Sequence, residues 1–140
     1  MNVVFVHATV NGEFVDEMLS IARQRAEEQN VSVVDTIDVA GVHELPVVVE
    51  AALERDNVDG VAVFGAVVKG STDHDQLLAN NVSKQLLEQS CNHVKPVGYG
   101  IIGPDASWKE VSKRLEHYAK GAVDAVTDAD AALTQAQPSD

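Results

Sequence analysis

One stretch of the sequence decides the fold: residues 59–92, which read DGVAVFGAVVKGSTDHDQLLANNVSKQLLEQSCN. It opens with an almost unbroken apolar run, which is typical of a parallel strand covered on both faces. A loop bracketed by glycines follows at residues 65–70. Leu78, Val82 and Leu86 then recur at helical spacing. We therefore predict a buried strand, a loop and an amphipathic helix, in that order.

The start of this helix is suited to binding an anion. Thr72 and Asp75 form a capping signal, with Thr72 as the N-cap and His74 in the first turn. A helix N-terminus presents free backbone N–H groups and the positive end of the helix dipole, and both attract a phosphate. An imidazole in that turn can transfer protons near neutral pH. We therefore predict a phosphate site with His74 beside it as a general acid or base.

Strand and helix signals alternate along the rest of the chain, which indicates an α/β domain with a parallel sheet. We predict one domain over residues 1–140, with strands at about residues 2–7, 31–39 and 96–102 besides the one already described. Gly103-Pro104 is expected to end the fourth strand, and Ser107 with Glu110 forms a capping box for the last helix. The tail after about residue 133 is expected to fray.

The second helix, which begins near Leu45, is apolar on almost every side. Its sequence LPVVVEAAL carries a single charged residue over two turns. An exposed helix of a monomer would not have this pattern, whereas a helix buried on both sides would. We expect it to be buried between the subunits of an oligomer. The alternative is a helix sandwiched within one subunit, for which a four-stranded domain offers little material.

Composition limits the classes of function. The chain has 22 Asp and Glu residues against 10 Lys and Arg, for a net charge of −12, and such a surface repels nucleic acid. Its one cysteine, Cys91, cannot form an internal disulfide and fits a reducing cytosol. The sequence shows no secretory signal and no apolar run as long as a membrane span. We expect a soluble cytoplasmic protein without a nucleic-acid or membrane partner.

Three of the five histidines follow strands at the carboxyl edge of the predicted sheet, where parallel α/β proteins bind ligands. His7 can equally be a strand-end residue with a satisfied ring, and His43 a residue at a helix entry. His74 is the sharpest candidate for catalysis because of the loop that precedes it. Three histidines can hold a catalytic zinc ion, but these come from separate loops without a short ligand spacing. A zinc hydrolase therefore stays open only as a weak alternative.

Four segments stand out together, namely GAVVKGSTDHDQ, AGVHELP, KPVGYGIIGP and KRLEHYAKGAV. They resemble the lumazine synthases (6,7-dimethyl-8-ribityllumazine synthases), most closely the archaeal branch, over about residues 3–126. The resemblance implies a flavodoxin-like sandwich, with a four-stranded parallel sheet between helices, assembled as a pentamer or a multiple of it. It implies a transferase of riboflavin biosynthesis that condenses 5-amino-6-ribitylaminouracil with 3,4-dihydroxy-2-butanone 4-phosphate and releases phosphate. It implies no metal and no organic cofactor.

The resemblance also implies roles for individual residues. His74 matches the catalytic histidine, and Ser71 and Thr72 match the pair that binds phosphate. Arg114 matches the cation that reaches this phosphate across a subunit interface, with Lys113 as the alternative. The other substrate-binding positions are Val10 and Asn11 in the first loop, Val42, His43 and Glu44 at the ribityl chain, Ala66, Val67 and Val68 at the pyrimidine edge, and Tyr99, which lines the site.

Two positions depart from the family pattern. The family has an aromatic residue where this chain has Val10, and the loss of a stacked ring costs about 0.5–1.5 kcal/mol. It has a second aromatic where His43 stands, and an imidazole can substitute as a flat ring. Neither change removes a proton-transfer or phosphate group, so activity is expected to survive with weaker or altered ring binding. Two other functions stay open, an archaeal-type riboflavin synthase and a non-catalytic carrier of flavin or lumazine.

Overall fold

The structure is a computed structural model that describes residues 1–68 and 74–137. Along these residues, four strands alternate with four helices, and a 3-10 turn precedes the second helix. In chain order the elements are β1 (Asn2–Ala8), α1 (Gly12–Glu28), β2 (Ser32–Val39), the 3-10 turn (Val42–Glu44), α2 (Leu45–Leu53), β3 (Gly60–Val68), α3 (His74–His93), β4 (Val97–Ala106) and α4 (Trp108–Ala136).

The four strands form one parallel sheet in the order β2-β1-β3-β4. The central strands β1 and β3 are largely buried, which explains why their sequences are continuous apolar runs instead of alternating ones. Helices α1 and α4 cover one face of the sheet, and α2 and α3 cover the other. The predicted fold class is therefore confirmed, an α/β flavodoxin-like three-layer sandwich with a four-stranded parallel sheet.

Two apolar cores lie on either side of the sheet because side chains alternate between its faces along each strand. On β1, Val3 and Phe5 pack with α1 and α4, whereas Val4 and Val6 pack with α2 and α3. Phe5 meets Phe64 of β3 edge to face, with ring centroids 5.0 Å apart. The central strands are held from both sides, which fixes the position of their carboxyl ends.

Two glycines of β4 let α4 pack closely on the sheet. Gly98 and Gly100 both face α4 at Ala122, and a Cβ atom added to Gly98 would collide with the Ala122 carbonyl group. A Cβ atom added to Gly100 would lie 2.7 Å from the carbonyl oxygen of Val63 on β3. The backbone of the helix therefore rests directly on the backbone of the strand.

β4 continues beyond its predicted end. The sequence predicts that Gly103-Pro104 terminates the strand, and this is wrong, because β4 runs to Ala106. The backbone of Gly103 has φ +121°, and the pairing with β3 shifts register between Ala66 and Val68. Two steps along β3, from Ala66 to Val68, correspond to four steps along β4, from Ile102 to Ala106. Pairing resumes after these two extra residues, and an edge strand tolerates proline.

The last helix starts as predicted and ends later. The capping box is confirmed, because Ser107 Oγ accepts a hydrogen bond from Glu110 N and Glu110 Oε1 accepts one from Ser107 N, each at 3.3 Å. The sequence predicts fraying after about residue 133, whereas α4 continues to Ala136. Residues 138–140 lie outside the described residues.

Helix α2 is buried on one side only. Leu45, Val49 and Leu53 are fully buried against β1, β3 and α3. Val47, on the outer side, is 72% exposed. The part of the chain that the structure describes therefore does not sandwich this helix, and the outer apolar side of the helix is exposed. None of the described helices, α2 included, is long and apolar enough to cross a membrane.

Candidate active site

A cleft of about 460 Å³ opens at the carboxyl edge of the sheet. The loops after β1 and β2 form one wall, and the end of β3 with the first turns of α3 forms the other. Most of the predicted substrate-binding residues line it, namely Val10, Asn11, Val42, His43, Glu44, Ala66, Val67 and Val68. The sequence did not predict three further lining residues, Ala40, Gly41 and Leu78.

The first wall continues the pairing of β1 with β2 beyond the ends of the strands. The backbone N–H of Thr9 donates to the Val39 carbonyl at 2.8 Å, and that of Val10 donates to the Ala40 carbonyl at 3.2 Å. The Thr9 hydroxyl also donates to the Ala40 carbonyl, at 3.2 Å. These bonds hold Val10, whose side chain is 48% exposed, beside the loop that leads to His43.

Asn11 joins the two walls. Its backbone is left-handed, with φ 58° and ψ 40°, a conformation that asparagine adopts more readily than most residues. Its side-chain Nδ2 donates to the carbonyl of Ala66 at 2.8 Å. Its own carbonyl accepts a hydrogen bond from Phe14 N at 3.1 Å, at the start of α1. Asn11 therefore fixes the end of β3 against the first loop, and uses at least one of its amide hydrogens inside the protein.

The 3-10 turn approaches the sheet closely because β3 has a glycine at that point. A Cβ atom added to Gly65 would lie 3.0 Å from Val42 Cγ2. Val42 is 2% exposed, and the turn is closed by Glu44 N donating to the Gly41 carbonyl at 3.1 Å. His43 and Glu44 remain exposed at the cleft. The anchored turn thus presents two polar side chains on a fixed backbone.

Helix α3 begins at His74, one helical turn before the part of the helix that lines the cleft. His74 is exposed, and Leu78, four residues later, lines the cleft. Residues four apart lie on the same side of a helix, so His74 shares the side of α3 that faces the cleft. That spacing would have been enough to predict Leu78 from the sequence. Ala40 and Gly41 carry no comparable signal because they line the cleft with backbone and a methyl group.

Two of the predicted residues lie outside the described residues, and a third lies away from the cleft. Ser71 and Thr72 fall within residues 69–73, of which the structure gives no description. Tyr99 lines a separate groove of about 150 Å³ between α3 and β4, beside Leu87. Burial raises the pKa of the Tyr99 hydroxyl, and the neighbouring Tyr118 adds a smaller effect in the same direction.

Arg114 lies on α4, which covers the other face of the sheet. Its Nη2 is 3.1 Å from Glu110 Oε2, in a half-exposed ion pair one helical turn away. Hydrogen bonds from Ser107 lower the pKa of the Glu110 carboxyl, and the charges of Arg114 and Lys113 lower it further. Arg114 is not among the described residues that line the cleft.

The three histidines of the predicted carboxyl edge do not converge. By strand alternation His7 shares the face of Phe5, toward α1 and α4, whereas the 3-10 turn with His43 packs on the opposite face. Of the three, His43 lines the cleft. Among residues 1–68 and 74–137, no group of three or more His, Cys, Asp or Glu side chains is suited to hold a metal ion. The zinc hydrolase finds no support in this part of the chain.

Comparison with known sequences decides the family. The family profile described as 6,7-dimethyl-8-ribityllumazine synthase matches residues 1–137. The chain belongs to the 6,7-dimethyl-8-ribityllumazine synthase family. The predicted family, the transferase class and the activity in riboflavin biosynthesis are thereby confirmed.

Archaeal relatives carry the same enzyme name. The 6,7-dimethyl-8-ribityllumazine synthase of Methanobrevibacter smithii is 34% identical over 124 residues, which cover 89% of each chain. That of Staphylothermus marinus is 40% identical over 109 residues, 78% of this chain and 73% of the relative. That of Methanopyrus kandleri is 39% identical over 115 residues, 82% of this chain and 81% of the relative. These lumazine synthases agree with the predicted archaeal branch.

Proposed function

We propose that the cleft binds 5-amino-6-ribitylaminouracil and that this amine is condensed there with 3,4-dihydroxy-2-butanone 4-phosphate to give 6,7-dimethyl-8-ribityllumazine. The observation that carries the proposal is that residues 10–11, 42–44 and 66–68, three segments that the family resemblance assigns to this substrate, line one cleft. Its volume of about 460 Å³ is in the range of small-molecule sites. Its aliphatic walls suit a flat ring, and the Glu44 carboxylate can accept hydrogen bonds from the ribityl hydroxyls.

Placement of the two substrates supplies most of the rate acceleration. A primary amine and a ketone react without a catalyst, so holding them in register raises their effective concentration. His74 transfers protons during imine formation and phosphate elimination, which contributes about 10²–10⁴-fold. Ser71, Thr72, the N-terminus of α3 and Arg114 stabilise the charge on the leaving phosphate.

The complete site requires a second subunit. Arg114 and Tyr99 lie away from the cleft of their own chain. Val47 on α2 and Leu87 on α3 are 72% and 67% exposed, although both are apolar. A neighbouring subunit that covers these side chains can bring its own Arg114 to the phosphate bound by the first subunit. We propose that the assembly is a pentamer or a multiple of it.

The cytoplasm is the proposed location of this assembly. Cys91 is a free, exposed thiol, which suits a reducing compartment. The net charge of −12 disfavours binding to nucleic acid and to anionic lipid surfaces. The proposed partners are therefore the two small-molecule substrates and further copies of the chain.

Mixing both substrates with the purified protein tests the proposal. We expect the absorbance of the lumazine to appear with one phosphate released per turnover. If no lumazine forms under conditions in which another member of the family makes it, the proposed activity is wrong. Incubation with the lumazine alone should give no riboflavin, which separates this activity from a riboflavin synthase. Flavin binding without phosphate release would instead indicate a carrier.

Three variants assign the roles around the phosphate. His74→Ala should lower kcat by about 10²–10⁴-fold and leave measurable turnover, because placement is retained. Arg114→Ala should raise the KM for the butanone phosphate, whereas Lys113→Ala, one position away and exposed, should not. The reverse result for these two would transfer the phosphate contact to Lys113. Native mass spectrometry should give a multiple of five chains, and a monomer that is fully active would contradict the shared site.

A further inference from the structure

We propose that Gln89 is a positioning residue for the reaction: its buried side chain holds the first turn of α2 and thereby fixes where the Glu44 carboxylate stands. The inference rests on the proposed function, because it takes Glu44 to accept hydrogen bonds from the ribityl hydroxyls. It goes further by assigning a role to a residue of α3 that is not among the described residues lining the cleft.

Gln89 is a polar residue in the apolar stripe of α3. It follows Val82 and Leu86 at helical spacing, and all three side chains are buried. Gln89 is 4% exposed, and its Oε1 is buried without a hydrogen-bond partner in the part of the chain that the structure describes. A buried acceptor that lacks a donor lowers the stability of the folded chain. An apolar side chain would avoid that loss, so stability alone does not explain an amide at this position.

The amide of Gln89 ties α3 to the start of α2. Its Nε2 donates to the Pro46 carbonyl oxygen at 2.7 Å and to Glu50 Oε2 at 3.1 Å. His93 Nε2, one turn further along α3, lies 3.1 Å from the same carboxylate oxygen. Both partners of Nε2 are acceptors, so the amide cannot turn around without placing Oε1 against a carbonyl oxygen. The two hydrogen bonds therefore fix a single arrangement of α2 on α3.

The first turn of α2 carries Glu44 with it. Glu44 has φ −88° and ψ −6°, in the helical region, and α2 continues directly from it at Leu45. Pro46 is the second residue of α2, and its ring fixes the backbone φ there. A shift of Pro46 is therefore transmitted to Glu44 without a flexible residue in between. The Glu44 side chain does not cap the helix, so its carboxylate stays available to a ligand.

Removal of the amide should not destabilise the chain. Pro46 lies in α2, where a carbonyl also accepts from the backbone N–H four residues later. The Glu50 carboxylate is 45% exposed and keeps its contact with His93. No buried group loses its last partner, and the unpaired Oε1 of Gln89 is removed. Gln89→Met, which keeps a long unbranched side chain, should therefore leave the free energy of unfolding unchanged or raise it.

The test measures the dissociation constant of 6,7-dimethyl-8-ribityllumazine from its fluorescence, and KM for each substrate. For Gln89→Met we expect this dissociation constant and the KM of the aminouracil to rise by about 2- to 13-fold, the loss of one hydrogen bond to the ribityl chain. The KM of the butanone phosphate should stay unchanged. The dissociation constant of 6,7-dimethyllumazine, which lacks the ribityl chain, should also stay unchanged.

A double-mutant cycle shows whether Gln89 acts through Glu44. Glu44→Ala removes the carboxylate, and Gln89→Met added to it should weaken lumazine binding no further. Gln85→Met is the matched control, since Gln85 is exposed one turn earlier on α3 and has no hydrogen-bond partner among the residues that the structure describes. It should change none of these quantities. Urea unfolding of every variant at one protein concentration gives the stabilities.

The inference is overturned if Gln89→Met leaves the dissociation constant of the ribityllumazine unchanged, or if the effects of Gln89→Met and Glu44→Ala simply add. A loss of stability that accompanies the loss of affinity in both Gln89→Met and Gln89→Leu would show a structural role only, and it also overturns the inference. If the wild-type protein forms no lumazine from the two substrates, the proposed function fails, whereas the cycle with the lumazine as ligand still decides the role of Gln89. A wild-type protein that does not bind the lumazine overturns both.

Discussion

The hydrogen bond from Asn11 to Ala66 joins the two walls of the cleft, and substitutions of Asn11 can measure its contribution to the free energy of unfolding. Its side chain donates to the Ala66 carbonyl at 2.8 Å, and its backbone has φ 58°. Asn11→Gly accepts the left-handed backbone and loses only the hydrogen bond, which should cost about 0.5–1.5 kcal/mol of unfolding free energy. Asn11→Ala loses the bond and also forces alanine into a left-handed conformation that costs about 1–2 kcal/mol. The alanine variant should therefore lose about 1.5–3.5 kcal/mol.

Asn30, at the other end of α1, is a matched control. It has φ 57°, and its side chain has no hydrogen-bond partner among the residues that the structure describes. Asn30→Gly should leave the free energy of unfolding almost unchanged, and Asn30→Ala should cost about 1–2 kcal/mol. The difference between the glycine variants at the two positions therefore measures the bond to Ala66.

Urea unfolding at one fixed protein concentration gives these free energies, because association of subunits shifts apparent stability. Steady-state kinetics on the same samples should show a raised KM for the aminouracil in Asn11→Gly and not in Asn30→Gly, since the end of β3 borders the cleft. If the two glycine variants agree in both stability and KM, the hydrogen bond does not order the cleft and the reasoning is refuted.

Three further predictions concern single positions elsewhere in the chain. Gly65→Ala should raise the KM of the aminouracil, because the added Cβ would lie 3.0 Å from Val42 Cγ2 and push the 3-10 turn. Gly121→Ala is the control and should leave the kinetics unchanged, since a Cβ atom there would have no atom within 4 Å. Equal KM values for the two variants would contradict this prediction. Because burial raises the pKa of Tyr99 above its ordinary 10.0, the folded chain holds that proton more tightly than the unfolded chain, so stability should fall as the pH rises above about 10. Urea unfolding between about pH 9 and 11 should show a smaller decline for Tyr99→Phe, and parallel curves would refute the assignment. Val94 has φ 52°, a left-handed conformation that glycine adopts without strain, so Val94→Gly should raise the free energy of unfolding by up to about 1 kcal/mol. A lower free energy of unfolding in urea would show instead that the Val94 side chain has a role in packing.

Much of the fold could be predicted because most elements carry a local signal in their own sequence, either a continuous apolar run or an apolar stripe at helical spacing. The apolar run of β3 and the capping box at Ser107 are local features, and both appear in the structure as expected. The end of β4 could not be predicted, since Gly103-Pro104 is typical of a strand end and the register shift against β3 depends on the partner strand. Local sequence gives no information on such a shift.

The candidate site was predictable to the extent that its residues lie in family motifs. Eight such residues line one cleft, but the motifs do not reveal what holds the cleft open. The bond from Asn11 to Ala66 joins residues 55 positions apart, and it depends on the first loop meeting the end of β3 in space. The roles proposed for Tyr99 and Arg114 show a second limit, because one chain cannot test a contact that is proposed to lie across a subunit interface.

The pair of glycines in β4 restricts how this chain can change during evolution. Any replacement of glycine adds at least one carbon atom, and the backbone fixes where that atom stands, so no rotamer change can relieve the collision at Gly98 or Gly100. Every amino-acid-changing mutation of these two codons therefore meets the same obstacle. Tyr99, between them, points to the opposite face and is free of that restriction. Substitutions at these positions of β4 are therefore more readily accepted at Tyr99, which faces α3, than at the two glycines that contact α4.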